Sequence, residues 1–293
     1  RFQFLGVFDT VASVGLADSS PVGQGLADWA DNNMQVATMV ERCVHYAAGH
    51  EIRLSFPLSS AREGDAYPGN CTEVIFPGAH SDVGGGYGPG DQGKALNGRA
   101  HLVSQIPLVQ MYTEARKSAV PLRSIEELKQ IRADDVIADL EIAPVVATRF
   151  NAYLAWAKIS PARTEQMLYE HILHYWRWRL SVGPRFRELE SFKHSSEQDK
   201  ADLLASEEDF KEDFARIERA QEQQSLFVMK YHRVAMAERE KKQIIPPLVH
   251  EFFDQHLHDS HASFRLLGPV TKYDREQVIT QVKAKKAAGT KIS

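Results

Sequence analysis

The first 120 residues contain short apolar runs whose pattern is typical of strands. Residues 2–9, FQFLGVFD, form an apolar run that ends at a polar residue, as a strand buried on both faces of a parallel sheet does. Residues 52–58, IRLSFPL, alternate apolar and polar positions as a half-buried strand does, and residues 73–78, EVIFPG, form another short apolar run. Each of these three segments predicts a strand.

Segments whose apolar residues have helical spacing lie between and after these predicted strands. From Asp28 to Gly49, apolar residues recur at the spacing of one helix face, which predicts a helix. Ser104 is suited to cap a second helix that carries Pro107 in its first turn and continues to about Ala119. Alternating strands and helices predict the α/β class with a layered core.

The chain becomes helical from about residue 121. Ser160-Pro161 is a good helix start and Gly183-Pro184 a good stop. One apolar stripe lies between them and predicts an amphipathic helix: Leu168, Ile172, Trp176 and Leu180. We therefore expect a helical region between two other segments of the chain.

These changes of pattern predict three segments. Residues 1–120 form the core, residues 121–245 form a helical region suited to a lid or a partner surface, and residues 246–293 return to the core.

Acidic residues outnumber basic ones across 188–222, which is typical of a solvated helix face, while a docking surface for a partner is the alternative. Four apolar residues give that block one face for packing: Leu203, Phe210, Phe214 and Ile217. The basic end at 283–291 is interpreted as a solvated tail.

Composition narrows the classes of function. The 293 residues carry a formal charge of -4 and an isoelectric point near 6.3, which argues against a nucleic-acid partner. Cys43 and Cys71 are the only cysteines, so they allow at most one disulfide and exclude a cysteine-rich zinc site. No apolar run is long enough for a transmembrane helix. Since the chain begins at Arg1 and enters a strand pattern at once, we expect its natural N-terminus to lie upstream.

Two residues that follow predicted strands suggest hydrolytic chemistry. Asp9 follows the first strand and His80 follows the strand at 73–78. In acyl hydrolysis a serine needs a base, and that base needs a carboxylate to fix its tautomer and stabilise the imidazolium. In the α/β-hydrolase arrangement the acid precedes the histidine along the chain, each on a turn beyond a strand. Asp9 and His80 fit the last two places of that order.

Each motif also has a structural alternative. Asp9 taken alone is better explained as a turn or cap residue, and His80 with Asp82 has a spacing that suits some metal sites. The run Gly84, Gly85 and Gly86 lacks the lysine and hydroxyl residue of a phosphate-binding loop, so we interpret it as allowing close backbone approach beside the histidine. Spacing alone does not decide between these alternatives.

A histidine-rich segment near the C-terminus offers a second candidate site. It is the densest group of histidines and carboxylates in the chain: Asp254, His256, His258, Asp259 and His261. Such a cluster could bind a metal, although neither a helix nor a strand would present all five side chains together. We keep a metal site as the alternative and His258 as a second candidate for the catalytic histidine.

Four stretches resemble one family. Residues 6–16, GVFDTVASVGL, and 76–87, FPGAHSDVGGGY, resemble the paired signature of the α/β-hydrolase domain in type VI secretion phospholipase effectors, the first family of type VI lipase effectors. Residues 106–115, IPLVQMYTEA, and 258–264, HDSHASF, resemble the same family. The resemblance implies the C-terminal part of an α/β-hydrolase-like parallel sheet with a large helical insertion.

The same resemblance implies roles for individual residues. It makes Asp9 the acid and His80 the base of a triad, and it gives His258 and Asp259 supporting roles near the active site, with Asp82 as a further candidate. The implied activity is hydrolysis of ester bonds in membrane phospholipid, as a toxin delivered by one bacterium into the periplasm of another. No metal or other cofactor is implied, and the implied partners are membrane phospholipid, a secretion spike and an immunity protein.

The nucleophile of that family has no counterpart in this sequence. The family places it in a G-x-S-x-G-like turn before the aspartate strand, and no such motif occurs in the 293 residues. Ser13 and Ser81 lack the strand-turn-helix context of a nucleophile, so we assign neither. We expect the serine upstream of Arg1, which makes this chain a fragment of a phospholipase A type esterase.

Two other functions remain open from the sequence. A metal-dependent hydrolase would use His80, Asp82 and the cluster at 256–261. A non-catalytic module would instead dock on a secretion or immunity protein through the acidic block.

Overall fold

A computed structural model describes residues 1–11, 35–53, 56, 58–63, 66–222 and 244–262, except for the side chains of 213 and 216–222. Within these residues the sheet has three parallel strands: β1 (Leu5–Phe8), β2 (Cys43–Ala48) and β3 (Cys71–Phe76). Their order is β1-β2-β3, and Leu5 pairs with Cys43, which pairs in turn with Cys71. The predicted α/β class with a parallel sheet is confirmed at this level.

Strand β2 corrects the prediction of a helix from Asp28 to Gly49. All six residues of Cys43–Ala48 are buried, and they pair along both edges. A strand buried on both faces carries apolar residues without strict alternation, and such a run can satisfy a helical template by chance. The beginning of the predicted helix, residues 28–34, lies outside the described residues.

The other strand predictions have mixed outcomes. The strand at 73–78 is confirmed as part of β3, and the strand within 2–9 is confirmed as β1. However, β1 is not buried on both faces among the described residues, because it lies at the sheet edge and Leu5 is 37% exposed. The described residues of 52–58 form no strand, and Leu58 makes only an isolated antiparallel bridge to Val11.

Helices make up most of the described chain after β3. Those of the first half are α1 (His80–Gly84), α2 (Gln105–Lys117), α3 (Ile125–Gln130), α4 (Asp134–Asp139) and α5 (Pro144–Ala157). The remaining ones are α6 (Thr164–Val182), α7 (Glu190–His194), α8 (Glu197–Glu222) and α9 (Pro247–Gln255). Short 3-10 turns occur at Asp91–Gly93, Arg99–His101 and Gly183–Glu188. No described helix is both long and apolar enough to cross a bilayer.

The helix expected from Ser104 to Ala119 is confirmed as α2, although the Ser104 side chain makes no capping hydrogen bond. The helix expected after Ser160 is α6, which begins at Thr164 and ends before Gly183. Its predicted stripe is wrong, since the four residues of that stripe are only half-buried. The buried face instead carries seven residues: Thr164, His171, Leu173, Tyr175, Trp178, Arg179 and Val182. Three of these are polar or charged, so a search for apolar periodicity alone selects the neighbouring face.

Helix α8 carries the acidic block and buries one side of it. Leu203 and Phe214 are buried as expected, and Ile217 lies outside the described side chains. Glu207 is also buried, and it accepts hydrogen bonds from the Arg179 guanidinium at 2.8 and 3.2 Å. Asp202 is buried as well, so these two acidic residues of the block are part of the interior and not of a solvated face.

The main hydrophobic core joins the sheet to helices from all parts of the described chain. It includes Tyr46 of β2, Phe76 of β3, Phe150 of α5 and Trp178 of α6. Helix α9 contributes three fully buried side chains: Val249, Phe252 and Phe253. Since α9 begins more than a hundred residues after β3, this core fixes distant segments of sequence against the sheet.

Replacing Phe253 by alanine tests this packing. Its ring contacts the rings of five buried residues: His50, Tyr153, Tyr175, Trp178 and Phe252. We expect Phe253→Ala to lower the free energy of unfolding by about 3–5 kcal/mol, measured by urea denaturation. Leu248→Ala, at a 42% exposed position of the same helix, should change it by no more than about 0.5 kcal/mol. Equal effects of the two substitutions would contradict the described packing of α9.

Candidate active site

Asp9 lies immediately beyond β1 and is held by β2. Its N–H donates to the carbonyl oxygen of Tyr46 at 2.6 Å, and its Oδ1 accepts the N–H of Ala48 at 2.7 Å. Its backbone has a φ of 39°, in the left-handed region that aspartate tolerates better than most residues. The side chain is buried, and with Oδ1 bound to the backbone of β2 the second oxygen, Oδ2, remains for a further hydrogen bond.

His80 meets the second oxygen of that carboxylate. His80 is the first residue of α1, four residues beyond the end of β3, and its Nδ1 lies 2.7 Å from Asp9 Oδ2. An ionised carboxylate can only accept, so Nδ1–H donates and Nε2 is left with a lone pair. The His80 side chain is 27% exposed whereas that of Asp9 is 3% exposed. Nε2 has no hydrogen-bond partner among the described residues, so it can take a proton from an incoming group.

A second histidine–carboxylate pair lies in the interior beside this one. His258 Nδ1–H donates to Asp82 Oδ1 at 2.6 Å, and the N–H groups of His258 and Ala79 donate to Asp82 Oδ2. The imidazole is stacked on Tyr87 with ring centroids 3.8 Å apart, and only 1% of it is exposed. His258 is therefore placed to hold α1, which carries His80, and is less accessible to substrate than His80.

Asp259 faces away from His258 and towards Arg179. Its Oδ2 lies 2.5 Å from Arg179 Nη1 and 2.8 Å from the donating Ser206 hydroxyl. Burial opposes ionisation, but the Arg179 charge and the contacts with His261 and Ser206 together outweigh it and lower the pKa of Asp259. Asp259 thus fastens the segment at 257–262 to α6 and α8.

The glycines after His80 shape the end of α1. Gly85 adopts a left-handed φ of 82° and its N–H donates to the Ser81 carbonyl, which ends the helix. A Cβ on Gly86 would lie 2.7 Å from Ser81 Oγ, whereas one on Gly84 would meet nothing within 4 Å. Close approach is thus to Ser81 and not to the His80 ring.

The side chains proposed for a metal site point to different partners. His256 Nε2 accepts from Arg149 at 3.1 Å while its Nδ1–H donates to the carbonyl oxygen of His101. Burial and the Arg149 charge lower the pKa of His256 to about 4. His80 and Asp82 likewise turn to separate partners, and within the described ranges no three histidine, cysteine, aspartate or glutamate side chains are grouped to hold a metal.

The sequence pattern did not indicate two acidic residues near the site whose side chains are buried. Glu51 accepts the N–H of His80 at 3.1 Å, and Glu73 lies 2.9 Å from Nδ1 of His45. His45 Nε2 accepts the N–H of Thr10, the residue after Asp9, so this ring also supports the Asp9 turn. The incorrect helix prediction at 28–49 hid the role of Glu51, since a strand there would have placed Glu51 beyond its carboxyl end, where site residues of parallel sheets collect. It also hid His45, the strand β2 partner of Glu73.

A chain of neutral side chains lies beneath the site. His50 Nδ1 accepts the N–H of Gly78 at 2.8 Å, and its Nε2–H donates to Tyr153 Oη at 3.1 Å. The Tyr153 hydroxyl in turn donates to His171 Nδ1 at 2.7 Å. Burial lowers the pKa of His50 well below its ordinary value and, with the neighbouring His174, lowers the pKa of His171 to about 3.

The N-terminal part of the chain matches a known family. Residues 1–114 match the model of the family described as T6SS, phospholipase effector Tle1-like, catalytic domain. The matching range contains Asp9, His80 and Glu51, and it confirms the resemblance inferred from the residues over this part of the chain. It is less than half of the 293 residues.

A solved structure is similar over nearly the whole chain. It is a crystal structure of an uncharacterized protein from Pseudomonas aeruginosa, with 25% sequence identity and a TM-score of 0.54. The similarity covers 96% of this chain and 38% of that one, so this chain spans well under half of the related protein. No curated protein matches the chain.

The buried histidines predict a loss of stability in acid. The unfolded chain binds protons at these positions as the pH falls through about 6.5, whereas the lowered pKa values keep the folded chain neutral there. The contribution of these neutral histidines to the free energy of unfolding is therefore fully present above about pH 6.5 and decreases as the pH drops towards 4. The lowered pKa of Glu73, about 2 because its hydrogen bonds from His45 and others outweigh burial, adds a further loss below about pH 4.5.

Urea denaturation between pH 4 and 7 measures this dependence. We expect His171→Gln to reduce the slope of unfolding free energy against pH by about 1 kcal/mol per pH unit, because one proton uptake is removed. His194→Gln, at a side chain 54% exposed, should leave the slope as it is. An unchanged slope in His171→Gln would show that the folded chain protonates this ring normally.

Proposed function

We propose that this chain is part of a serine-dependent lipolytic esterase of the phospholipase A type, with an α/β-hydrolase-like fold. The observation that carries the proposal is the hydrogen bond between buried Asp9 and half-exposed His80 at the carboxyl ends of parallel strands. The match of residues 1–114 to a phospholipase effector catalytic domain supports the same reaction class.

In the proposed mechanism His80 is the general base. Its Nε2 removes the proton of the serine hydroxyl while the serine oxygen attacks the acyl carbonyl carbon. Asp9 remains ionised, accepts from Nδ1–H and stabilises the imidazolium. His80 then returns the proton to the departing alcohol, which leaves an acyl-serine. A water molecule deprotonated by the same nitrogen then attacks the acyl carbon. The ester bond to the serine oxygen breaks, His80 returns the proton to that oxygen, and the fatty acid is released.

The serine is proposed to come from the polypeptide that precedes Arg1. Among the described residues no serine hydroxyl is hydrogen-bonded to His80. Ser260, the serine of residues 258–260 (the HDS segment), donates to Glu51 instead. The oxyanion would be held by backbone N–H groups beside that upstream serine. The chemistry needs no metal or other cofactor.

The two rival functions receive less support. A metal-dependent hydrolase would need His80 and Asp82 to converge, whereas each is already paired with its own partner. A purely docking module would not need a half-exposed histidine oriented by a buried carboxylate. The acidic helix α8 keeps an exposed face that could still bind a secretion or immunity protein, in addition to catalysis.

The proposal places the protein at the membrane of a target cell. As a type VI effector it would leave the producing cytoplasm and meet phospholipid by peripheral contact in the periplasm of another bacterium. Secretion-spike and immunity proteins would be its partners. These proposals about location and partners rest on the match of residues 1–114 to the effector family.

Fatty-acid release from phospholipid vesicles tests this function. The polypeptide to use includes the sequence encoded before Arg1 together with residues 1–293. We expect His80→Ala to lower the rate on the order of 10³-fold, because the base is lost, and EDTA to have no effect. Asp9→Asn should also impair the reaction, since it loses the stabilising charge.

His194→Ala provides the matched control, because it removes an exposed histidine on α7. It should retain the full rate. Full activity in His80→Ala would remove this residue from the mechanism, and loss of activity in EDTA would favour the metal-dependent alternative.

A further inference from the structure

Glu51 occupies a central position beside the candidate base. It lies three residues beyond the end of β2, and its side chain is only 6% exposed. One oxygen, Oε2, accepts the N–H of His80 at 3.1 Å, and the other, Oε1, accepts the hydroxyl of Ser260 at 3.1 Å. A single carboxylate therefore joins the first residue of α1 to Ser260 of the HDS segment. Ser260 lies 209 positions after Glu51 in the sequence.

Arg53 compensates the charge of this carboxylate. Its Nε and Nη2 donate to the two oxygens of Glu51 at 2.9 and 2.8 Å, and its own N–H donates at 2.8 Å. A buried carboxylate is costly unless it is paired and hydrogen-bonded, and five donors satisfy this one. Both oxygens of the Glu51 carboxylate therefore have hydrogen-bond donors.

The same ion pair reaches the imidazole ring of His80. The guanidinium of Arg53 lies 3.8 Å above the centre of the Phe56 ring, within the range of a cation–π contact. The Phe56 ring in turn lies against the His80 ring, with centroids 5.0 Å apart. Glu51 thus contacts the His80 backbone directly, and it is connected to the His80 ring through Arg53 and Phe56.

We infer that Glu51 is a positioning residue for His80, which fixes the backbone and ring of the candidate base and connects it to Ser260. Asp82 performs the complementary task from the interior, where it fastens α1 to His258. With both contacts present, the His80 ring is held in the orientation in which Nδ1–H meets Asp9 and Nε2 has no partner among the described residues. This inference rests on the proposed function, in which His80 is the base.

Histidine nitrogen NMR on residues 1–293 tests the inference without any catalysis. Wild-type His80 should show a single tautomer with the proton on Nδ1, as its bond to Asp9 requires. We expect Glu51→Ala to lose this single tautomer and give averaged Nδ1 and Nε2 signals. Glu51→Gln, which keeps an acceptor for the His80 N–H, should retain it in part, and Ser260→Ala, which removes one donor only, should retain most of it.

Rate measurements on the longer polypeptide give the second readout. Glu51→Ala should lower kcat on the order of 10²-fold with little change in KM, because a misplaced base slows chemistry more than it weakens binding. Glu197→Ala, at a side chain 91% exposed on α8, should leave kcat and the His80 signals unchanged.

The outcomes separate the two claims. If Glu51→Ala and Glu51→Gln both fold and keep the wild-type His80 tautomer, the positioning role is wrong. If Glu51→Ala does not fold, Glu51→Gln decides the question alone, and a wild-type His80 tautomer in that variant would show that the positioning role is wrong. If the wild-type polypeptide releases no fatty acid while the NMR result holds, the proposed function fails and the positioning of His80 stands.

Discussion

Strand β2 pairs in parallel with β1 on one side and with β3 on the other, and the groups around Asp9 and His80 take their positions from that pairing. The backbone of β2 supplies the Tyr46 carbonyl and the Ala48 N–H that hold Asp9. The turn that follows β2 supplies His50, which binds Gly78, and Glu51, which binds His80. Because one buried strand determines both ends of the Asp9–His80 hydrogen bond, the bond can form between residues 71 positions apart.

The interior around this strand contains more charge than a simple hydrophobic core would. Asp82, Glu51, Glu207 and Arg179 are buried, and each has a partner of opposite charge or several hydrogen-bond donors. Removal of one partner would leave an uncompensated group, which costs more than the intact pair contributes. Such pairs specify which segments meet, and here they join the HDS segment to α1, α6 and α8.

The sequence predicted the parts of this arrangement that depend on local pattern. Strands β1 and β3, helix α2 and the positions of Asp9 and His80 beyond strand ends all follow from short-range signals. Strand β2 could not be distinguished from a helix, because burial on both faces removes the alternation that identifies a strand. Because β2 was predicted as a helix, the sequence did not place Glu51 at the end of a strand, where the site lies. The pairing of His258 with Asp82 was equally hidden, because it depends on a contact across 176 positions.

The central proposal is that His80, oriented by Asp9, activates a serine that precedes Arg1. The most direct measurement is labelling of the longer polypeptide with a fluorophosphonate, followed by mass spectrometry to locate the modified residue. The account predicts one modified serine, upstream of Arg1, with labelling that requires His80 and persists in EDTA. A modified serine within residues 1–293, or no labelling of an active protein, would contradict it.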